Sequence, residues 1–161
     1  MATHKIPIAI TAYGTNGYFT RVDFAPNIQG LHALTKDVVG ELYGVVRIPE
    51  NYVGTAKIEA VILANATTGV TRLVAGAVCV ANDAASFDAT FTDETAQDIT
   101  VPATAYNDKL VTFPTSGSLS AASIAAGKLL FVHLQHAGTH ANDTLAVDTL
   151  VSGLWLSYAD V

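Results

Sequence analysis

Charge is scarce in this chain: Lys, Arg, Asp and Glu together make 14% of its 161 residues, against about 25% in ordinary soluble domains. No cluster of Lys or Arg occurs, which excludes direct nucleic-acid binding, because that needs cations along the phosphates. A single cysteine, Cys79, excludes an internal disulfide framework and a thiolate zinc site. Within Val78-Cys79-Val80 it reads as a small buried hydrophobe and not as a nucleophile. No apolar run reaches the roughly 20 residues of a membrane helix. Residues 1–10, broken by His4, Lys5 and Pro7, show no signal-peptide pattern. Neither nucleic acid nor membrane is expected as a partner. Also missing are a Gly-x-Ser-x-Gly elbow and the glycine loops that cradle phosphates. Carboxylates for glycoside chemistry are available at Glu41, Glu50, Glu59 and Glu94, but nothing selects two of them as a pair. No catalytic residue and no cofactor is expected, and the chain is read as non-enzymatic.

What remains is apolar and rich in small residues: 50% hydrophobic, with a formal net charge of -6. A chain of this length forms one domain that removes about 70% of its unfolded surface from water. A surface so short of charge is either kept wet by Thr, Ser, Asn and Gly or covered by other subunits.

Period-two alternation dominates. Residues 128–135 form a nearly continuous apolar run and 150–158 alternate, so this pair is expected as two strands at the centre of a sheet. Ile6, Ile8 and Ile10 alternate around Pro7, which fits a short edge strand. A turn at 14–17 leads into alternation over 18–24, whereas 25–37 shows no sustained period. Residues 1–40 are read as an N-terminal arm with loosely attached strands, or alternatively as the first hairpin of the sandwich. Strands follow at 41–48, 55–64 and 70–81, separated by turns at 49–54 and 65–69. In 55–64 one face carries Ile58, Ala60 and Ile62. The other carries Lys57, Glu59, Val61 and Leu63, charged at its start and apolar at its end. Residues 82–98 read as a long loop with a short strand at 86–91. Strands at 99–102 and 109–113 and a connection at 118–127 complete the chain. The pattern predicts an all-β fold, a jelly-roll-like antiparallel β-sandwich of about eight strands spanning 41–161. A barrel with a central cavity is the alternative.

Three histidines, His133, His136 and His140, invite a metal reading, but positions three apart on a strand face opposite ways. Asp143 and Asp148, beside Asn142 and Thr144, offer hard oxygens without EF-hand spacing, and cap turns instead. No metal is expected. Tyr13, Tyr18, Tyr43, Tyr52, Tyr106 and Trp155 would stack on sugar rings if they shared an exposed face; packing within the sandwich is the ordinary alternative.

One ordered pattern is familiar. Val46-Arg47-Ile48-Pro49-Glu50-Asn51-Tyr52 precedes a glycine, the alternating strand 57–63, and Ala66-Thr67-Thr68-Gly69-Val70. Later come Ala126-Gly127-Lys128-Leu129-Leu130-Phe131-Val132-His133-Leu134, then Asn142-Asp143-Thr144-Leu145, Asp148 and Gly153-Leu154-Trp155-Leu156-Ser157-Tyr158. In order and spacing these segments resemble a group of small jelly-roll virion proteins of tailed phages, capsid decoration (cement) proteins among them. The match departs after Gly69, where a tryptophan is common and this chain has Arg72 and Leu73. The resemblance implies a non-enzymatic subunit, often a homotrimer, that binds the major capsid protein and stabilises the lattice. It also implies a place on the capsid surface of the virion after assembly in the host cytoplasm, where Cys79 stays reduced. Candidate capsid or subunit contacts are Lys5, Ile6, Ile8 and Ile10 in the arm and Asn142, Asp143 and Asp148 in the late loop. The alternative function is a carbohydrate- or receptor-binding β-sandwich of a phage tail or fibre.

Overall fold

The computed structural model describes residues 3–24, 27–80, 90–121 and 123–160. Twelve strands run through them, and no helix occurs among the described residues. In chain order they are β1 (Thr3–Pro7), β2 (Ala9–Tyr13), β3 (Gly17–Phe24), β4 (Asn27–Leu34), β5 (Val39–Arg47) and β6 (Tyr52–Leu63). Then come β7 (Val70–Val80), β8 (Thr92–Asp93), β9 (Gln97–Thr100), β10 (Lys109–Phe113), β11 (Leu129–Ala137) and β12 (Thr149–Asp160). All pairings are antiparallel.

Two sheets face each other as a jelly-roll sandwich. The first runs β10-β6-β12-β4-β3, with β1 also on β12; the second runs β2-β5-β11-β7-β8, with β9 also on β7. The late pair expected at the centre of one sheet is thus divided. Strand β12 is central in the first sheet and β11 in the second. Local periodicity identifies each as a strand but carries no information about distant partners.

The core lies between them. Ile58, Ala60, Ile62, Leu154 and Leu156 from the first sheet meet Leu42, Leu73, Leu130, Val132 and Leu134 from the second, all essentially removed from water. Burying such side chains contributes about 1.5–3 kcal/mol each before entropy is subtracted. Cys79 is half-buried, unpaired and packed against this core.

The segment expected as an arm is laid into both sheets. Thr3–Pro7 pairs with β12, Ala9–Tyr13 pairs with β5, and the buried Ile8 donates its N–H to Leu154 O at 2.9 Å between them. Opposite, the seam between sheets is tied by side chains reaching across to backbone. Gln97 Nε2 donates to Thr112 O (2.8 Å) and Lys109 Nζ to Thr100 O (2.9 Å).

Two further expectations change. Residues 27–34, without visible period, are strand β4, because pairing with β3 and β12 overrides weak local preference. Strand β8 lies within the stretch read as a long loop, and the strand expected at 99–102 is β9, which begins two residues earlier, at Gln97, and ends at Thr100. The strand expected at 86–91 lies, but for Thr90 and Phe91, outside the described residues.

Candidate functional site

The outer face of the first sheet is fixed by register. Going along β12, Leu150 stands beside Leu63 and Ala33, Gly153 beside Val61, Trp155 beside Glu59 and Pro7, and Ser157 beside Lys57 and Lys5. A bulge between Val151 and Gly153 preserves this phase, so Leu150 and Trp155 share the face although five residues separate them. From Leu150 to Ser157 the strip measures about 20 Å at roughly 3.3 Å per residue.

One end is a groove of about 380 Å³ lined by Tyr18, Lys36, Asn65, Tyr106, Asp148 and Leu150. Its floor is a small apolar cluster, Leu31, Ala33, Leu63 and Leu150, against which Tyr106 packs. Asp148 orders one wall: Oδ2 accepts from the Tyr18 hydroxyl, and Oδ1 accepts the Lys36 N–H at 3.0 Å. That hydrogen bond to a carboxylate, with lesser help from burial and charge, pushes the Tyr18 pKa up to about 12. Tyr18 remains 41% exposed, so its ring is free to meet a ligand. Tyr106 is held in place by its N–H, which donates to Ala64 O at 2.8 Å.

The middle is the half-buried indole of Trp155, lying against Gly153, with the half-buried Val61 and the exposed Leu110 on the neighbouring strands.

At the other end is a trough of about 460 Å³ lined by Thr55, Lys57, Glu59, Thr112, Ser157 and Thr3 among others. Glu59 is 7% exposed. Lys5 reaches over β12 from β1 and places Nζ 2.5 Å from Glu59 Oε2, an atom with no other protein donor among the described residues. This contact neutralises a buried carboxylate that would otherwise be costly. The charged-then-apolar face of 57–63 in the sequence is this outer face. Aromatic planes flanked by hydroxyls, an amide and carboxylates can stack on the C–H faces of a ring and bond its hydroxyls.

The residues expected as contacts are scattered. Lys5 belongs to the trough and Asp148 to the groove. Ile6 and Ile10 pack partly buried on the core, and Ile8 is within it. Asn142 Nδ2 donates to Asp98 Oδ2 at 2.7 Å. That bond, and next the Arg72 guanidinium, hold Asp98 below the usual carboxylate range.

Asp143 is buried against His136, at 1% and 0% side-chain exposure, with Nε2 2.7 Å from Oδ2. Oδ2 also accepts the Arg72 N–H at 2.7 Å, and His136 Nδ1 faces Thr35 O at 3.0 Å. Asp143 therefore fastens the 138–148 loop to β7 and β11. The three histidines do not converge. His133 Nε2 faces Asp93 Oδ1 at 2.7 Å on the outside of the second sheet, stacked on Phe91 at 4.7 Å, and His140 Nδ1 accepts the Asn142 N–H at 3.1 Å. Among the described residues no three His, Cys, Asp or Glu side chains are placed to hold a metal.

Of the aromatics, Tyr18, Tyr106 and Trp155 share the outer face. Tyr43 lies against Phe91 and His133 on the other sheet, Tyr52 beside Tyr158, and Tyr13 beside His32. Sequence reasoning left out Lys36, Asn65, Lys57 and Glu59 as site residues; the alternation of 55–64 was the signal for the last two.

No protein-family model and no curated protein matches the chain. Among solved structures, the isomalto-dextranase of Arthrobacter globiformis T6 complexed with panose is similar over 96% of this chain, at 16% identity and a TM-score of 0.58. The chain spans 23% of the length of that enzyme. A family 35 carbohydrate-binding module from Clostridium thermocellum is similar over the whole of both chains, at 10% identity and a TM-score of 0.49. A third structure, TmCBM61 in complex with β-1,4-galactotriose, matches over 90% of both chains at 9% identity and a TM-score of 0.45. What the dextranase likeness establishes is the fold, a β-sandwich shared with about a quarter of a larger protein.

Proposed function

We propose that this chain is a carbohydrate-binding β-sandwich module that holds a glycan along the outer face of its first sheet, without catalysing a reaction. The observation that carries the reading is the placement of Tyr18, Tyr106 and Trp155 on one face, with Asp148, Asn65, Glu59 and hydroxyls between and beside them. Sugar rings combine apolar C–H faces with dense hydroxyls, and a strip of aromatics and small polar groups about 20 Å long suits several linked units. Support also comes from the fold shared with part of a dextranase, a protein whose name refers to a polysaccharide.

The test is a glycan array followed by calorimetry on the hits. Tyr18→Ala and Trp155→Ala should each weaken binding about tenfold or more, the scale of one aromatic contact. An array without hits, or full affinity in both variants, overturns the reading.

A second reading is a phage particle subunit, in which this face or another adheres to a virion. It is favoured by one observation, the ordered match of 46–70 and 126–158 to jelly-roll virion proteins. Electron microscopy of particles with and without the chain separates the two.

A further inference from the structure

The trough at the Lys57 end holds a charge that its own surroundings leave unbalanced. Three ionic groups meet there: Glu59, Lys5 and Lys57. Glu59 and Lys5 neutralise each other at 2.5 Å. Lys57, half-buried on the strand beside Ser157, forms no ion pair with a carboxylate among the described residues. Its ammonium reaches only Thr115 O at 3.4 Å, a long contact. Thr3, Thr55, Thr112 and Ser157 line the same trough with hydroxyl-bearing side chains. In a chain of net charge -6 this is a local cationic site with the opposite sign to the molecule as a whole.

Resting on the sugar-binding reading, we propose that this trough takes the anionic substituent of a sugar unit, so that the ligand is an acidic glycan. Lys57 Nζ donates to the anion, and Thr112 and Ser157 bond the ring hydroxyls. The Lys5–Glu59 pair presents a neutral wall in place of a repelling carboxylate. The neighbouring unit then lies over Trp155, one step along β12. A lysine is a point charge without a planar fork, so carboxylated and sulfated sugars share the chemistry it recognises.

Calorimetry on the full chain tests this with three probes of equal length: galacturonic acid oligomers, sulfated galacto-oligosaccharides and neutral galacto-oligosaccharides. One or both acidic probes should bind about tenfold tighter than the neutral one, the order expected of one charge-assisted hydrogen bond. The difference should shrink as salt rises. Which acidic probe binds names the substituent as uronate or sulfate. Lys57→Gln should bring the acidic probes down to the level of the neutral oligomer, and Lys57→Arg should keep the difference. Equal affinity for all three overturns the proposal and leaves the sugar-binding reading standing. A tenfold preference that survives Lys57→Gln also overturns it, by placing the anion elsewhere. No binding of any glycan, here or on the array, overturns the sugar-binding reading itself and the proposal with it.

Discussion

Trp155 lies flat over Gly153, two residues earlier on the same strand and the same face. A Cβ built on Gly153 would come 2.4 Å from the outer edge of the indole. The glycine is therefore a seat for the ring, because any side chain at that position would collide with the indole. Gly153→Ala should tilt the indole out of its seat. Misfitting one methyl into a packed contact costs about 1–3 kcal/mol, read as a lower urea midpoint together with a changed tryptophan emission maximum. Glycan affinity should fall nearly as far as in Trp155→Ala. Unchanged emission and affinity would show that the seat has no bearing on the site.

The buried His136–Asp143 contact makes a separate prediction about the loop that carries Asp148. Thr35 O and the Asp143 carboxylate face the two ring nitrogens at 3.0 and 2.7 Å, so the imidazole is fixed at both ends. Asp143→Ala leaves His136 Nε2 and the Arg72 N–H without their shared partner in a dry site. Each buried polar group left unsatisfied costs about 1–3 kcal/mol, so the two together are a large share of the roughly 5–15 kcal/mol that holds such a domain. Denaturant titration should show this loss, whereas Asn142→Ala, on the exposed side of the same loop, should cost well under half as much.

How far the sequence leads is clearest on β11 and β12. Their apolar run and alternation mark them as strands, and alternation puts His136 of β11 inward with Val132 and Leu134, as it puts Lys57 and Glu59 of β6 outward. An inward imidazole already demands a buried partner, and Asp143, seven positions on, supplies it. Sheet membership is different in kind. Strand β12 pairs with residues from 3–7, 27–34 and 52–63, and no local pattern encodes such distant choices. The Lys5–Glu59 contact exists only because β1 lies next to β12, so it too was hidden. The segments that resemble virion proteins fall largely on β5, β6, β11 and β12. These inner strands answer first to core packing, so a match there speaks for the sandwich more directly than for its role.

Near the edge strand β3, Tyr13 and His32 give a pH-dependent contact. Tyr13 Oη lies 2.8 Å from His32 Nδ1, with Phe19 edge-on to the imidazole. Burial lowers the His32 pKa below its ordinary value. A base with a depressed folded pKa binds more protons when unfolded. Stability must therefore rise with pH through the window between the lowered value and about 6.5, and be lost on the acid side. Replacement by an apolar ring, His32→Phe, should remove that part of the pH slope. If the difference between the two chains is flat from pH 4 to about 7, the contact is not coupled to folding.

Tyr18 and Asp148 let the groove be watched directly. The carboxylate accepts a hydrogen bond from the phenol, and that bond, more than burial, pushes the Tyr18 pKa up to about 12. Here the folded state holds its proton longer than the unfolded chain, whose tyrosines ionise near 10. The contribution is whole below about pH 10 and is lost as pH rises through about 12. Ultraviolet difference titration should therefore show one tyrosine ionising last. Asp148→Asn should bring it back toward the ordinary value, because the amide lacks the charge that opposes phenolate formation. The same substitution frees the Tyr18 ring to swing, and should weaken glycan binding without unfolding the chain. A tyrosine that ionises near 10 in the unaltered protein would mean that Asp148 does not hold it, and that the groove lacks the fixed wall on which stacking depends.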